Sequence, residues 1–291
     1  MILRRIVAAT AVGLYAAATG ASAAPPVTVT AKPPPSRATL NHDAANFVDA
    51  IAVQPEGESL IRWGRPICPY AVGLGAEARA ALAQEIAQVA HAAGAPVATT
   101  DCAPNFVVVA SEQPAVVLAA WRNREPDLFG DALPADVDQF LADGPPVRVW
   151  YNALRSSVDG EAIAKGPQIY SGMDVVYSYG VSRLRFKTVL GLESVIVAVD
   201  LRRARGLTIR QIADYAAMAG LAEIKLNADL GAAPTILRLF QASAAERPAG
   251  MTEWDRGFLA GVYASDQASK IQRSAIAASV SAATAANPAT P

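Results

Sequence analysis

The sequence predicts a single compact α+β domain in which helices pack on a mixed β-sheet. Three observations lead to this class. Several segments repeat apolar residues at helical spacing, and short β-branched runs between them are typical of buried strands. The two kinds of segment alternate along the chain without an internal repeat, which favours one mixed domain over an array. About 240 residues lie between the two expected unfolded ends, enough for one sizeable core.

Residues 1–23 have the three parts of a secretory signal peptide. Arg4 and Arg5 supply the positive start, residues 6–18 form an apolar run, and Ala21-Ser22-Ala23 offers small residues before the cleavage point. The alternative is a membrane anchor, but the run is shorter than the ~20 residues that span a bilayer. We therefore expect a periplasmic or secreted protein without a transmembrane anchor after cleavage.

The two ends of the mature chain are expected to be disordered. Residues 24–40 contain five prolines, which stiffen the backbone without giving it a core to pack on. Residues 282–291 are rich in alanine and resemble a frayed tail. These assignments leave residues 41–281 for the folded domain.

The chain has two cysteines, Cys68 and Cys102. In an exported protein an even pair predicts a disulfide. Such a bond stabilises the fold by about 4 kcal/mol on the chain-entropy model. The alternative, one reactive thiol with a histidine partner, is disfavoured because the chain has only two histidines, His42 and His91.

The first half of the domain alternates strands and helices. A helix is predicted over residues 77–93, because Leu82, Ile86 and Val89 recur at helical spacing and Gly94 can end it. Similar patterns predict strands over residues 60–67, 106–109 and 147–151, and helices over residues 114–121 and 135–141. A long loop or hairpin is expected over residues 154–181, which are rich in Gly, Ser and Tyr.

The second half contains the clearest local signals. Residues 195–199 form a β-branched run that predicts a central strand. A helix is predicted over residues 208–219, where Thr208 and Gln211 can form a capping box. A second capping pattern begins at Thr252 and opens a helix that buries Trp254, Phe258 and Val262. A strand or short helical piece over residues 236–240 and a last helix through Ile271 and Ile276 complete the elements.

Most familiar catalytic motifs are absent. The chain has no Gly-x-Ser-x-Gly elbow, no phosphate-binding glycine loop before a lysine and no His-Glu-x-x-His. Of the two histidines, His91 is expected to face solvent, which weakens any Ser-His-Asp arrangement. The net charge of −1 gives no bias toward nucleic acid or membranes. We predict no cofactor and no nucleic-acid partner.

Charge is nevertheless unevenly distributed. Residues 183–210 hold seven basic against two acidic residues, a net charge of +5, and residues 112–143 hold seven acidic against two basic residues, a net charge of −5. Either these are two solvated faces that complement each other, or the basic set binds an anionic envelope component or a partner protein. The basic set is Arg183, Arg185, Lys187, Arg202, Arg203, Arg205 and Arg210.

The helix predicted over residues 208–219 can be aligned with the zinc helix of metalloproteases. That helix has the pattern His-Glu-x-x-His-x-x-Gly-x-x-His, in which two histidines four residues apart bind zinc and the glutamate activates water. With Gly220 on the glycine, Ala213 and Ala217 occupy the two histidine positions. Alanine cannot ligate a metal, and small residues favour close packing of a helix on a sheet.

The same alignment places Asp214 on the general base and Glu223 on the third ligand. Two carboxylates are too few for a zinc site, which needs three or four protein ligands. We therefore predict no metal site, and Asp214 and Glu223 are the only candidate catalytic residues.

Several short motifs are similar to those of one family. The quoted segments are residues 195–199, the helix end Gly220-Leu221, residues 236–240, the start Met251-Thr252-Glu253-Trp254-Asp255, and Val262-Tyr263. They resemble the exported bacterial proteins gathered under the domain of unknown function DUF2927, and Cys68, Cys102 and residues 105–109 look similar too. The resemblance covers most of residues 60–265 and implies a zincin-like fold, related to metalloproteases. The chain departs from the family at the helix centre, where members usually keep Glu and Gln.

Three functions are compatible with these observations. The first is a non-enzymatic, zincin-like binding or interaction module in the periplasm or outside the cell. The second is a hydrolase acting on peptide or cell-wall material through carboxylates such as Asp214 and Glu223. The third is a structural envelope protein that docks through the basic set.

Overall fold

The computed structural model of this protein describes residues 35–56, 58–99, 101–142, 144–159, 163–165, 174–175 and 182–287. These residues belong to one unit, Pro35–Pro291. The predicted signal peptide and most of the predicted disordered lead-in lie outside the described residues, as does the last part of the predicted tail.

The described residues form helices and strands that alternate along the chain. The α-helices are α1 (Arg37–Ile51), α2 (Ala76–Ala92), α3 (Pro114–Arg124), α4 (Pro134–Leu141), α5 (Ile209–Gly220), α6 (Glu253–Ala264) and α7 (Gln272–Ala286). The strands are β1 (Arg62–Trp63), β2 (Pro69–Val72), β3 (Phe106–Ser111), β4 (Val147–Ser157), β5 (Ala164–Lys165), β6 (Asp174–Val175) and β7 (Thr188–Asp200). Helices α2 to α7 and the central strand therefore occur where the sequence predicts them, whereas α1 was not predicted.

Strand β7 is the centre of a five-stranded mixed sheet. Strand β4 runs antiparallel along one side of β7 over its whole length. On the other side β1 and β3 pair with β7 in parallel, one after the other, and β2 pairs in parallel with β3. Strands β5 and β6 form a separate antiparallel pair. The fold is mixed α/β with a sheet in which parallel pairs dominate.

Residues of β7 alternate between two cores because successive side chains of a strand point to opposite faces. Val195, Val197 and Val199 lie in the larger core, with α1, α2, α5, α6 and α7. Ile196 and Ala198 lie in the smaller core, beneath α3 and α4. Burial on both faces is the physical reason for the continuous β-branched run in the sequence.

The structure corrects two predicted boundaries. Helix α1 begins at Arg37, inside the segment predicted to be disordered up to residue 40, because the Ser36 hydroxyl caps it and Leu40 is buried. Helix α7 continues to Ala286, inside the predicted tail, and buries Val280 and Ser281. Both helices are held by tertiary packing, since α1 packs against α7 and α7 packs against α6.

Three further elements differ from their predicted extent. The strand predicted over residues 60–67 is only two residues long, since Pro66 has no N–H to offer a ladder. Residues 236–240 contain a 3₁₀ turn, Ile236–Arg238, rather than a strand. The loop predicted over residues 154–181 starts with the end of β4 and includes the β5–β6 pair, and its other residues are largely outside the described set.

The predicted disulfide is confirmed. Cys68 and Cys102 are bonded, with their Cα atoms 6.0 Å apart and a sequence separation of 34. The bond closes a loop that contains β2 and α2. In the described part of the chain, no helix combines the length and apolarity needed to cross a membrane.

Three aromatic side chains hold the end of α5. The last carbonyl groups of a helix have no partner within the helix. The Trp63 indole donates to the Gly220 carbonyl at 2.8 Å, and the hydroxyls of Tyr151 and Tyr263 donate to the carbonyls of Ala219 and Leu221. A side chain on Gly220 would lie 2.4 Å from the Phe106 ring. The Gly-Leu helix end is thus explained by close packing on β1, β3, β4 and α6.

The buried carboxylate of Asp255 joins the start of α6 to the 3₁₀ turn. Its Oδ2 accepts hydrogen bonds from the backbone N–H groups of Ile236 and Thr252, both at 2.8 Å, and from the Thr252 hydroxyl at 2.7 Å. Its Oδ1 accepts from the Thr235 hydroxyl. The predicted capping box is confirmed. Its carboxylate also accepts a hydrogen bond from the 3₁₀ turn Ile236–Arg238, which lies earlier in the chain.

Candidate functional site

A cavity of about 440 Å³ lies between α2, α5, α6 and α7. Its walls are largely apolar and include Val89 of α2 and Leu259 of α6. Two acidic and two basic side chains also line it, and one of the acids is Asp214, which the sequence singled out. The charged groups make this cavity the best candidate for a functional site.

Asp214 is buried, with 1% of its surface exposed. Its Oδ2 accepts a hydrogen bond from the backbone N–H of Met251 at 2.8 Å. The loop before α6 can approach Asp214 this closely because residue 250 is a glycine. A Cβ at that position would lie 2.7 Å from Asp214 Oδ2. Gln211 also donates to the Pro248 carbonyl at 2.8 Å, so α5 holds the loop before α6 in two places.

The second oxygen of Asp214, Oδ1, is also buried and has no basic, amide or hydroxyl donor among the described residues. The carboxyl of Glu85 of α2 is within hydrogen-bonding reach of the Asp214 carboxyl. Two ionised carboxylates only accept hydrogen bonds, so this contact requires a proton on one of them. The pair therefore holds either a shared proton or an unsatisfied acceptor.

Burial raises the pKa of Glu85, and the negative charge of Asp214 raises it further. Arg210 opposes this shift: its Nε lies 3.6 Å from Glu85 Oε1 and 3.9 Å from Asp214 Oδ2. A single guanidinium thus faces two carboxyl groups.

The basic side chains lie nearer to solvent than the acids. Arg210 has 66% of its side chain exposed, against 2% for Asp214. Arg256 is about half exposed and pairs with Glu253 at 3.0 Å. The cavity therefore has an acidic, hydrogen-bond-accepting interior and a basic rim whose cations already have partners.

The structure places the other candidate, Glu223, elsewhere. Glu223 follows the end of α5, and its backbone N–H donates to the Ile61 carbonyl at 3.1 Å. Burial raises the pKa of Glu223. Glu223 does not line the cavity that Asp214 lines, where the other acid is Glu85.

The two alanines at the predicted zinc positions, Ala213 and Ala217, are fully buried in the larger core. Among the described residues, no three His, Cys, Asp or Glu side chains come together in a way that could hold a metal ion.

The basic set does not form one surface. Strand β7 is 13 residues long, which is about 40 Å at the usual rise of a strand. The strand separates the first three members of the set in the sequence, Arg183, Arg185 and Lys187, from the next three, Arg202, Arg203 and Arg205. Their contacts also differ, since Arg185 pairs with Asp266, Arg202 and Arg203 pair with Asp200, and Arg205 approaches Glu112 at 3.4 Å. The Arg205–Glu112 pair joins the basic set to the acidic segment.

The sequence pattern missed Glu85 and Arg256. Both lie on helices that were predicted, but on their polar sides, where a charged residue is ordinary. Glu85 and Asp214 are 129 positions apart, so only the packing of α2 against α5 brings them together. No local signal could have found this pair.

The raised pKa of Glu85 predicts a pH-dependent effect of Glu85→Gln. The native state keeps a proton on Glu85 that the unfolded chain loses near pH 4.5. Wild-type stability should therefore fall as pH rises from that value through the raised pKa. Above this window we expect Glu85→Gln to be more stable than wild type by on the order of 1 kcal/mol.

Thermal unfolding between pH 4 and pH 8 measures this difference. The control is Glu77→Gln, which changes an exposed acid on the same helix and should show no such window. A Glu85→Gln profile parallel to that of wild type would contradict the prediction.

No protein-family model, no curated protein and no solved structure matches this chain. What the protein binds or does must therefore follow from the geometry of its own residues.

Proposed function

We propose that this chain is an exported, non-enzymatic binding protein of zincin-like fold that holds a small ligand between α2, α5, α6 and α7. The observation that carries this proposal is that Asp214 lines the cavity while its buried Oδ1 has no basic, amide or hydroxyl donor. A buried acceptor without a partner costs about 1–3 kcal/mol. A ligand that supplies a donor recovers this energy.

The dimensions of the cavity support the same proposal. Its volume of about 440 Å³ is within the ~300–1,000 Å³ usual for small-molecule sites. Such sites combine apolar walls with a few polar groups that orient the ligand. The walls around Val89 and Leu259 and the buried carboxyl pair have this composition.

The proposed export and fold have their own support. The Cys68–Cys102 bond is of a kind that persists mainly in oxidising compartments outside the cytosol. The mixed sheet has an antiparallel edge strand, β4, and α5 packs on it through small residues. Ala213 and Ala217 in the place of metal ligands favour a binding role over metal-dependent hydrolysis.

A hydrolase remains the second candidate, because two carboxyl groups that share a proton can also act as an acid–base pair. In that case the pair is Glu85 and Asp214 rather than Asp214 and Glu223. The two candidates differ in the fate of the ligand, which a binding protein releases unchanged.

A cavity-filling variant tests the proposed function. We expect a library of small amphipathic compounds to contain ligands that raise the unfolding temperature of the mature wild-type protein. Ala260→Phe, which places a ring in the cavity, should abolish these shifts. Ala278→Phe is the matched control, because Ala278 lies on the α7 side of a different cavity, beside α1.

Two results would contradict the proposal. One is a library without any stabilising compound, and the other is equal stabilisation of Ala260→Phe and wild type. Mass spectrometry of each ligand after incubation distinguishes the two candidate functions. A cleaved ligand, with cleavage lost in Glu85→Gln, would replace the binding protein by a hydrolase.

A further inference from the structure

We propose that the cavity between α2, α5, α6 and α7 selects an organic cation, namely a primary ammonium group on an apolar chain, and that Asp214 binds the ammonium. This inference rests on the proposed function and adds the chemical class of the ligand. It starts from Asp214 Oδ1, which among the described side chains that line the cavity is buried and has no basic, amide or hydroxyl donor.

The order of the charges with depth favours a cation over an anion. Asp214 is 98% buried, whereas Arg210 and Arg256 are largely or half exposed. A ligand group at the bottom of the cavity is therefore closer to the carboxyl groups than to the guanidinium groups. An anion there would place a further negative charge beside two carboxyl groups that share Arg210 as their ion-pair partner. Such a charge is energetically unfavourable in a poorly solvated site.

The charge balance also favours an ammonium over a neutral donor. A hydroxyl would satisfy Oδ1 but would add no positive charge beside the two carboxyl groups, which share Arg210 as their ion-pair partner. An ammonium supplies three donors and a full positive charge. Charge-assisted hydrogen bonds of this kind are about twice as strong as neutral ones.

The apolar part of the ligand is assigned from the walls. Beyond the carboxyl pair, the cavity is lined by Val89, Met251 and Leu259 and by alanines of α2, α6 and α7. These side chains can contact methylene groups but offer no hydrogen bonds. Burial of each methylene group contributes about 0.8 kcal/mol, so an apolar chain adds affinity to the ammonium.

Binding of the ammonium should displace the proton held by Glu85. The charged groups that face Glu85 are Asp214 and Arg210 of α5 and Arg256 of α6, whereas α7 lines the cavity with Ser279 and alanines. When the ammonium takes the place of the proton, both carboxyl groups can ionise. Affinity should therefore rise with pH through the raised pKa of Glu85 and then level off.

Calorimetric titration of the mature protein at pH 7.5 with three six-carbon probes tests the inference. The probes are hexylammonium, hexan-1-ol and hexanoate, which share the chain and differ in the head group. We expect hexylammonium to bind at least tenfold more tightly than hexan-1-ol, and hexanoate to bind most weakly. Asp214→Asn should weaken hexylammonium at least tenfold and change hexan-1-ol less than twofold.

Two further variants keep the test decisive if Asp214→Asn folds poorly. Glu85→Gln, at a half-buried position, should remove the rise of hexylammonium affinity with pH, and Asp136→Asn on the exposed face of α4 should change nothing. Hexan-1-ol or hexanoate binding as tightly as hexylammonium would overturn the inference and leave the proposed function standing. Binding of none of the probes would also overturn the inference, and the compound library would then decide the proposed function.

Discussion

Asp255→Ala is expected to lower the free energy of unfolding by about 3 kcal/mol or more. The variant removes the acceptor for two backbone N–H groups, of Ile236 and Thr252, and for two hydroxyls. Asp255 is fully buried, so water cannot replace the lost carboxylate without opening the core. The start of α6 and the 3₁₀ turn should loosen together.

Urea-induced unfolding of the mature protein measures this loss. Glu253→Ala is the matched control, since Glu253 lies in the same helical turn but makes a partly exposed pair with Arg256, of a kind worth about 0–1 kcal/mol. If Asp255→Ala lost no more stability than Glu253→Ala, the carboxylate would not be the link between the two segments.

Removal of the disulfide is expected to have the largest effect on stability. The bond joins residues separated by 34 positions, and the chain-entropy model gives about 4 kcal/mol for a loop of that length. Cys68→Ala combined with Cys102→Ala should therefore lower the unfolding temperature markedly. Because the closed loop contains α2, the variant should also loosen the helix that carries Glu85.

Reduction provides an internal control for that variant. A reducing agent should destabilise the wild-type protein by about as much as the double substitution does, and it should leave the double variant unchanged. A double variant as stable as wild type would show that packing of β2 and α2 alone holds the loop.

Local signals account for the elements that the sequence predicted well. The capping boxes at Thr208 and Thr252 are formed by residues three apart, so their geometry is contained in a few residues. The continuous β-branched run of β7 likewise indicates that this strand is buried on both faces. Helix α1 was not predicted, although Leu40, Phe47 and Ile51 recur at helical spacing, because the prolines before it indicated an unfolded lead-in. In the structure it packs against α6 and α7.

The candidate site was only half predictable. Asp214 was found through its place in a helix that aligns with a metalloprotease pattern, and the structure shows that it is buried beside a cavity. The same alignment offered Glu223, which does not line this cavity. The other acid of the cavity, Glu85, comes from a helix whose polar face has no local signal of function.

The sequence by itself determined the positions of most helices and strands, the disulfide pair and the absence of histidine ligands from the α5 segment. These properties depend on residue type and on contacts between near neighbours. The tertiary structure alone decided which carboxyl groups meet, that Asp214 keeps an oxygen without a donor, and that β7 divides the basic set into two groups. Such properties depend on how distant segments pack, and the spacing of residues along a chain does not encode the distance between helices in space.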